Sequence, residues 1–250
     1  MSTHFSCVGC GKCCTDHHVP LTLAEARQWA ADGGQVIVLV EAFLTDGPGL
    51  PEAQRDHVLR RSWGVPSGRT EARVAITFAA YNSGPCRNLD EDLLCRIYQR
   101  RPLVCRIYPM EINPHIPLRP EAKDCPPESW QDTQPLLIVG GQLQDPELAR
   151  LIEASRQADR DDIQAKEVIC AQLGIRTTAL KGDGFTAYLP QMSAFAAAID
   201  QVRQLTHWPA AGEWSFHVSG PGIADQLQAA GARVVSEAAT TYAFIALQPA

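Results

Sequence analysis

The sequence predicts an α/β or α+β protein in which a small cysteine-rich metal-binding domain is followed by a small α/β domain. Three observations lead there. Eight of the nine cysteines lie at or before residue 125, and only Cys170 lies beyond it. The stretch carrying Pro114, Pro117, Pro120, Pro126, Pro127 and Pro135 suits neither a helix nor a central strand. Past it, apolar patterns of helical and strand type follow one another. The expected break is near residue 135, with a cysteine-cluster domain over 1–134 and an α/β domain over 135–250, which a length of 250 residues allows.

Each element has a local reason. Thr22 with Glu25 is a capping-box pattern that opens a helix through Ala26, Trp29 and Ala30, and Gly33-Gly34 closes it. Val36 to Val40 is short, apolar and β-branched, hence a strand. The Gly- and Pro-bearing segment 46–68 reads as an irregular excursion with one helical turn around Gln54 to Arg61. Val74, Ile76 and Phe78 alternate with smaller or polar residues and form a second strand. Pro102 starts and Pro109 ends a short helix that carries Cys105. Asp145-Pro146 is an N-cap followed by proline, opening a helix that breaks near Asp159 to Asp162. A further helix carries Phe195, Ala198, Ile199, Val202 and Leu205. Then come a strand over Ser215 to Ser219, a short helix from Ile223 to Ala230, and closing strands at Val234-Val235 and Tyr242 to Leu247.

Composition narrows the function classes. With 45% hydrophobic and 20% charged residues the chain is expected to bury a core, and a net charge of -6 argues against a protein that coats nucleic acid. No apolar run approaches the roughly 20 residues needed to span a bilayer, and Met1 to Cys14 contains no apolar segment of signal-peptide type. A cytoplasmic protein without membrane association is expected. Thiols there stay reduced, so nine cysteines point to metal rather than disulfides.

The run Cys7-Val8-Gly9-Cys10-Gly11-Lys12-Cys13-Cys14 carries the strongest chemistry. A two-residue spacing lets two sulfurs reach one metal, and intervening glycines free the backbone to turn its N–H groups toward thiolates. The first three cysteines share the C-x2-C-x2-C spacing of bacterial iron–sulfur proteins. Cys14 is directly adjacent to Cys13, and neighbouring side chains diverge, so either the two serve different metals or only one is a ligand. Downstream, Cys86, Cys95 and Cys105 recur about every ten residues, Cys95-Arg96-Ile97-Tyr98 is echoed by Cys105-Arg106-Ile107-Tyr108, and Cys125 is followed by proline. Eight cysteines make two four-thiolate sites, or one cluster plus a second site.

These residues, together with Gly84-Pro85-Cys86, Arg101-Pro102 and Pro109, resemble the CxxCxxCC cysteine-cluster family, also called YkgJ-like proteins or zinc- or iron-chelating domains. The resemblance covers roughly residues 5 to 126. It implies metal chelation by Cys7, Cys10, Cys13, Cys14, Cys86, Cys95, Cys105 and Cys125. It fixes no reaction, although a flagellin lysine N-methylase resembles the same family.

Other residues have blander readings. Cys170 sits among Val168, Ile169 and Leu173 and reads as core. His17 and His18 suit a mixed site, but turn or surface positions are the preferred reading. Arg87, Arg96, Arg100, Arg101 and Arg106 are read as compensation for thiolate charge rather than as a nucleic-acid surface. Tyr98 and Tyr108 read as core aromatics. Gly220-Pro221-Gly222 lacks a third glycine and is a turn rather than a dinucleotide fingerprint. The favoured cofactor is an iron–sulfur cluster used in redox or Lewis-acid chemistry, because the compact three-cysteine run wraps a cluster well. The alternative is zinc in a structural or interaction module, whose function lies with the second domain or a protein partner.

Overall fold

The computed structural model describes residues 2–50, 52–235 and 240–247. In chain order the elements are β1 (Ser2–His4), β2 (Val19–Leu21), α1 (Leu23–Ala31), β3 (Val36–Leu44), α2 (Arg55–Arg60), β4 (Trp63–Ser67) and β5 (Thr70–Ala80). Next come α3 (Leu103–Ile107), β6 (Leu136–Val139), β7 (Gln142–Leu143), α4 (Pro146–Asp161) and α5 (Ile163–Gln172). The chain continues through β8 (Thr177–Leu180), β9 (Gly184–Tyr188), α6 (Met192–Val202), β10 (Ser215–His217), α7 (Pro221–Ala229) and β11 (Ala243–Ala246). The fold is mixed α/β. Among the described residues no helix is long and apolar enough to cross a membrane.

Two compact units emerge, each assembled from two stretches of chain: residues 1–19 with 81–157, and residues 20–80 with 158–250. This division does not coincide with the expected break near residue 135. Strand pairing is the reason. β3 pairs antiparallel with β5 from Val36↔Ala80 to Leu44↔Ala72. It also pairs antiparallel with β9 through residues 38–40 and parallel with β8 through residues 41–42. Strands from both halves thus join one eight-stranded sheet of order β10-β8-β3-β5-β2, with β4 on β5, β9 on β3 and β11 on β9. The α/β unit therefore contains the strands before the main cysteine region as well as those after it.

In this second unit, β3 is apolar at almost every position and buried on both faces, as a central strand should be. α6 buries Phe195, Ala198, Ile199 and Val202, the i, i+3, i+4, i+7 stripe of an amphipathic helix. The Phe195 ring meets Phe78 of β5 edge-on at 5.1 Å. Thr22 and Glu25 form the reciprocal capping box at the start of α1, which buries Ala26 and Trp29. Cys170 on α5 is fully buried with Val168 and Ile169, as expected. The charges near the α4–α5 break are paired: Asp159 accepts from Arg61 Nε at 2.7 Å and from Lys166 Nζ at 2.9 Å, with Lys166 itself buried.

The first unit has a much smaller apolar centre. Ile107, Leu151 and Ile152 are buried, with Leu103, Met110, Ile112, Leu143 and Leu148 packed against them. β1, β6 and β7 form a three-stranded sheet. Phe5 adds a ring contact to Trp130 at 4.7 Å and to Tyr108 at 6.4 Å.

Three local expectations change. β4 forms despite Gly64 and Pro66, because it is a hairpin partner of β5 alone and an edge strand tolerates proline. β8 and β9 have no counterpart among the expected strands; each pairs with β3 and with one further strand, β8 with β10 and β9 with β11. Tyr98 is 54% exposed rather than core.

Two outcomes follow from these contacts. A fragment of residues 135 to 250 removes β3 and β5 from the sheet, so it should lack a cooperative thermal transition by near-UV circular dichroism; a sharp melt would contradict the shared sheet. Burial alone would raise the Asp159 carboxyl, but the charges of Lys166 and Arg61 and their hydrogen bonds outweigh it and bring it down to about 2. That stabilisation is complete above the unfolded value of about 4 and is lost as pH falls through the folded value. Asp159→Asn should cost on the order of 3 kcal/mol in urea unfolding at pH 7, since it leaves Lys166 buried without its partner, and the difference from the unaltered protein should shrink below pH 4.

Candidate metal centre

The loop from Cys7 to Cys14 is shaped by two glycines in the left-handed region, Gly9 at φ 69° and Gly11 at φ 70°. Residues with side chains rarely take this conformation. Gly11 then caps a 3-10 turn, Lys12–Cys14, in which the Cys14 N–H donates to the Gly11 carbonyl at 3.0 Å. Space is limited as well: a Cβ on Gly11 would lie 3.1 Å from Leu93 Cβ, and one on Gly9 would lie 3.4 Å from Leu94 Cδ2.

The two ends of the loop are tethered to different parts of the first unit. On the amino-terminal side, the Phe5 N–H donates to Pro135 O at 3.0 Å and the Ser6 N–H to Ser129 O at 2.9 Å; past the loop, His17 Nε2 lies 2.8 Å from Asp124 Oδ2. These contacts bring the Cys7 region beside Cys125. On the carboxy-terminal side, the Cys86 N–H donates to Cys14 O at 2.6 Å, the Asp16 N–H to Gly84 O at 2.9 Å, and Thr15 bridges Pro85. Leu89 bridges Cys95, and α3 carries Cys105. The charges that the thiols feel divide in the same way. Cys13 responds first to Cys14 and then to Cys7 and Cys125, and Cys125 responds to Cys10 and Cys7. Cys86 responds to Cys14 and Cys95, and Cys105 to Cys14, Cys86 and Cys95. Cys7, Cys10 and Cys13 thus lie toward Cys125, and Cys86, Cys95 and Cys105 toward Cys14, with Cys13 and Cys14 in contact between them.

Adjacent Cys13 and Cys14 are hydrogen-bonded across this divide. The bond holds Cys13 well above the usual thiol range and brings Cys14 down to about 6, with help from the charge of Arg101 and of His17. Burial pushes the Cys105 thiol up to about 12, and negative neighbours add to it. Burial also raises Cys86 and Cys125. The Cys125 sulfur and the Tyr108 hydroxyl share a hydrogen bond of 3.4 Å. Burial, and then that bond, raise Tyr108 far above its ordinary value. The thiols therefore oppose one another's ionisation, and a cation among them would reverse that opposition.

Among the described residues, no three His, Cys, Asp or Glu groups lie close enough together to hold an ion as they stand. The donor chemistry nevertheless fits the metals that thiols select. All eight cysteines are unpaired as disulfides, and soft thiolate sets suit zinc and iron–sulfur clusters equally. Ser129 Oγ and Trp130 Nε1 are buried and have no partner among the described residues, on the segment whose Ser129 carbonyl receives the Ser6 N–H. Such uncommitted donors are what an anionic sulfur centre requires.

The surrounding residues sort clearly. Arg101 favours the ionised forms of Cys14 and Cys105, and Arg87 that of Cys86, in line with charge compensation. Arg101 is held by its Nε donating to Tyr98 O at 3.0 Å, with its guanidinium 3.7 Å from the Tyr98 ring centroid. Arg106 instead faces Glu147 at 3.9 Å. His18 receives the Asn82 N–H at 3.4 Å and packs on Tyr81; burial and then the charge of His17 lower its pKa. Both histidines thus have partners other than the thiols. Beside Cys10 opens a cleft of about 400 Å³, lined also by Gly11, Lys12, Thr15, His17, Leu93 and Asp124. Sequence reasoning missed Asp124, Leu93 and Leu94. Asp124 next to Cys125 was a weak signal, whereas nothing local marks the leucines.

No curated protein and no solved structure is significantly similar to the chain. Residues 6–128 match the family model CxxCxxCC, described as a putative zinc- or iron-chelating domain, and that span contains all eight of these cysteines. Over those residues the chain carries a metal-binding cysteine-cluster domain of the CxxCxxCC family.

Proposed function

We propose that the eight cysteines of the first unit are metal ligands in two four-thiolate sets and that they hold iron–sulfur. The observation that supports this reading is where the chain returns to the cysteine loop: the Cys86 N–H donates to Cys14 O at 2.6 Å, Thr15 bridges Pro85, and Ser6 beside Cys7 donates to Ser129 O at 2.9 Å, near Cys125. One uninterrupted run of four cysteines would crowd a single site, whereas two sets of four match the ligand number of zinc and of iron–sulfur centres alike. Bound iron–sulfur would supply one-electron transfer or Lewis acidity. The chain's own part is to turn the loop at Gly9 and Gly11 and to place Arg101 and Arg87 against the thiolate charge. Tyr108 is offered as a hydrogen-bond partner to Cys125. The favoured metal rests on the compact Cys7, Cys10 and Cys13 run, whose two-residue spacings wrap a cluster.

Zinc is the second reading, and the modest apolar centre of the first unit favours it. Structural thiolate–metal sites contribute on the order of 10 kcal/mol to folding, enough to replace a missing hydrophobic core. Protein partners belong with this reading, in which the metal builds a surface rather than a reaction centre.

Metal analysis with a visible spectrum of anaerobically purified protein separates the two. Broad absorbance near 400 nm with iron and acid-labile sulfide is expected, in the range of about four to eight irons per chain for cubane-type clusters. A colourless zinc protein would overturn the favoured metal, and a metal-free folded protein would overturn both readings. Cys10→Ser should lower metal content and the melting temperature together, whereas Cys170→Ser should leave metal content unchanged because that thiol lies in the core of the other unit. Full metal stoichiometry in Cys10→Ser would remove the best-supported ligand.

A further inference from the structure

The cleft beside Cys10 is built from three stretches of the first unit: the cysteine loop with Thr15 and His17 after it, the loop 89–95, and the segment that carries Asp124. Its charges are unequally committed. The Asp124 carboxylate is engaged by the His17 ring at 2.8 Å, whereas Lys12 has no ion pair among the described residues. The Thr15 hydroxyl donates to Gly11 O at 3.3 Å, which leaves its oxygen able to accept. Leu93 is the apolar wall. Asp90 holds the loop that carries it: the Asp90 carboxylate accepts the N–H groups of Asp92 at 3.0 Å and Leu94 at 2.8 Å, and the Asp90 N–H donates to Leu94 O at 2.9 Å. In that loop Leu93 takes φ 62°, where a leucine is strained and a glycine is not. The residue is 48% exposed, so burial in a core does not offset the strain. It lies instead against Gly11, where a Cβ would come within 3.1 Å of Leu93 Cβ. Strain kept at an exposed cleft wall marks a position held for what the wall touches.

We propose that this cleft binds a small organic monocarboxylate, with its carboxylate on Lys12 and its apolar body on Leu93. The inference goes beyond the proposed metal binding, since the groups that hold the ligand are not thiols. Three features set the chemical class. A volume of about 400 Å³ stands at the small end of ligand pockets, with room for on the order of ten heavy atoms. One uncommitted ammonium group matches one negative charge. A dianionic phosphate is disfavoured, because the Asp124 carboxylate lines the same cleft and repels the second charge. A hydroxyl or N–H on the ligand finds an acceptor in Thr15 Oγ. Cys10 lines the cleft too, so the bound acid lies beside the cysteine cluster.

Benzoate, one carboxylate on a flat apolar body, is the probe. Purified full-length protein of measured metal content is titrated with it and followed by saturation-transfer NMR, alongside benzamide, its neutral counterpart, and phenylphosphonate at a pH where it is dianionic. Benzoate should bind saturably, about fivefold tighter than benzamide and tighter than phenylphosphonate. Lys12→Met keeps the stem of an exposed side chain and removes its charge; it should bring benzoate down to the affinity of benzamide and leave benzamide unchanged. Leu93→Gly should weaken both severalfold while the melting temperature holds, because the backbone strain is relieved. Absence of saturable benzoate binding would overturn the site. Equal affinities for benzoate and benzamide, or tighter binding of phenylphosphonate, would overturn the monocarboxylate. Unaltered benzoate affinity in Lys12→Met or in Leu93→Gly would overturn the placement in this cleft, as would weaker binding in Leu93→Gly that comes with a lower melting temperature. Metal content is read on the same samples: metal-free folded protein that binds benzoate would bring down the proposed function alone, and metal-loaded protein that does not bind it would bring down this site alone.

Discussion

One peptide step, from Cys13 to Cys14, organises the cysteine-bearing unit. The 3-10 turn that contains both residues stands between two tethers, one joining the amino-terminal side to the segment near Cys125 and one joining Cys14 to Cys86 through a backbone hydrogen bond of 2.6 Å. The two thiols stay hydrogen-bonded to each other, while the backbone on either side of the turn is held by different partners. The rest of the unit follows from that division. Gly9 and Gly11 must be left-handed for the loop to reach the turn, and the chain from 84 to 95 must come back alongside it.

Electrostatics and packing act in the same direction here. In a unit with a modest apolar centre, Cys13, Cys86, Cys105 and Cys125 resist ionisation, through burial, the charge of neighbouring thiols and, for Cys13, the bond to Cys14. Arg101 and Arg87 relieve part of that resistance, Arg101 at Cys105 and Arg87 at Cys86. A cation would relieve the remainder. The same physical need that makes such a unit marginal without metal makes it responsive to metal.

The second unit depends on no such chemistry. β3 is its common strand, and the apolar stripe of α6, with Ala26 and Trp29 of α1 and Val168 and Ile169 of α5, supplies a conventional core. Cys170 there behaves as a small hydrophobe, which burial raises well above the ordinary thiol range. The contrast with the exposed Cys7 shows that environment, more than residue type, decides what a cysteine can do in this chain.

Much of the local structure was legible in the sequence, because the determinants are themselves local. Thr22 and Glu25 announced the start of α1, Asp145-Pro146 the start of α4, and Pro102 the short helix carrying Cys105. The cysteine spacing likewise announced a metal-binding family and raised the possibility of two four-thiolate sites. What only the tertiary structure decided is non-local. The pairing of β3 with β8 and β9 moved the division of the chain away from residue 135, since no property of residues 36–44 alone names a partner some 140 positions away. The approach of Cys86 to Cys14, and the left-handed Leu93 laid against Gly11, depend in the same way on loops brought together far apart in sequence. Periodicity and capping act within a few residues, whereas strand partners and ligand sets are chosen by the free energy of the whole fold.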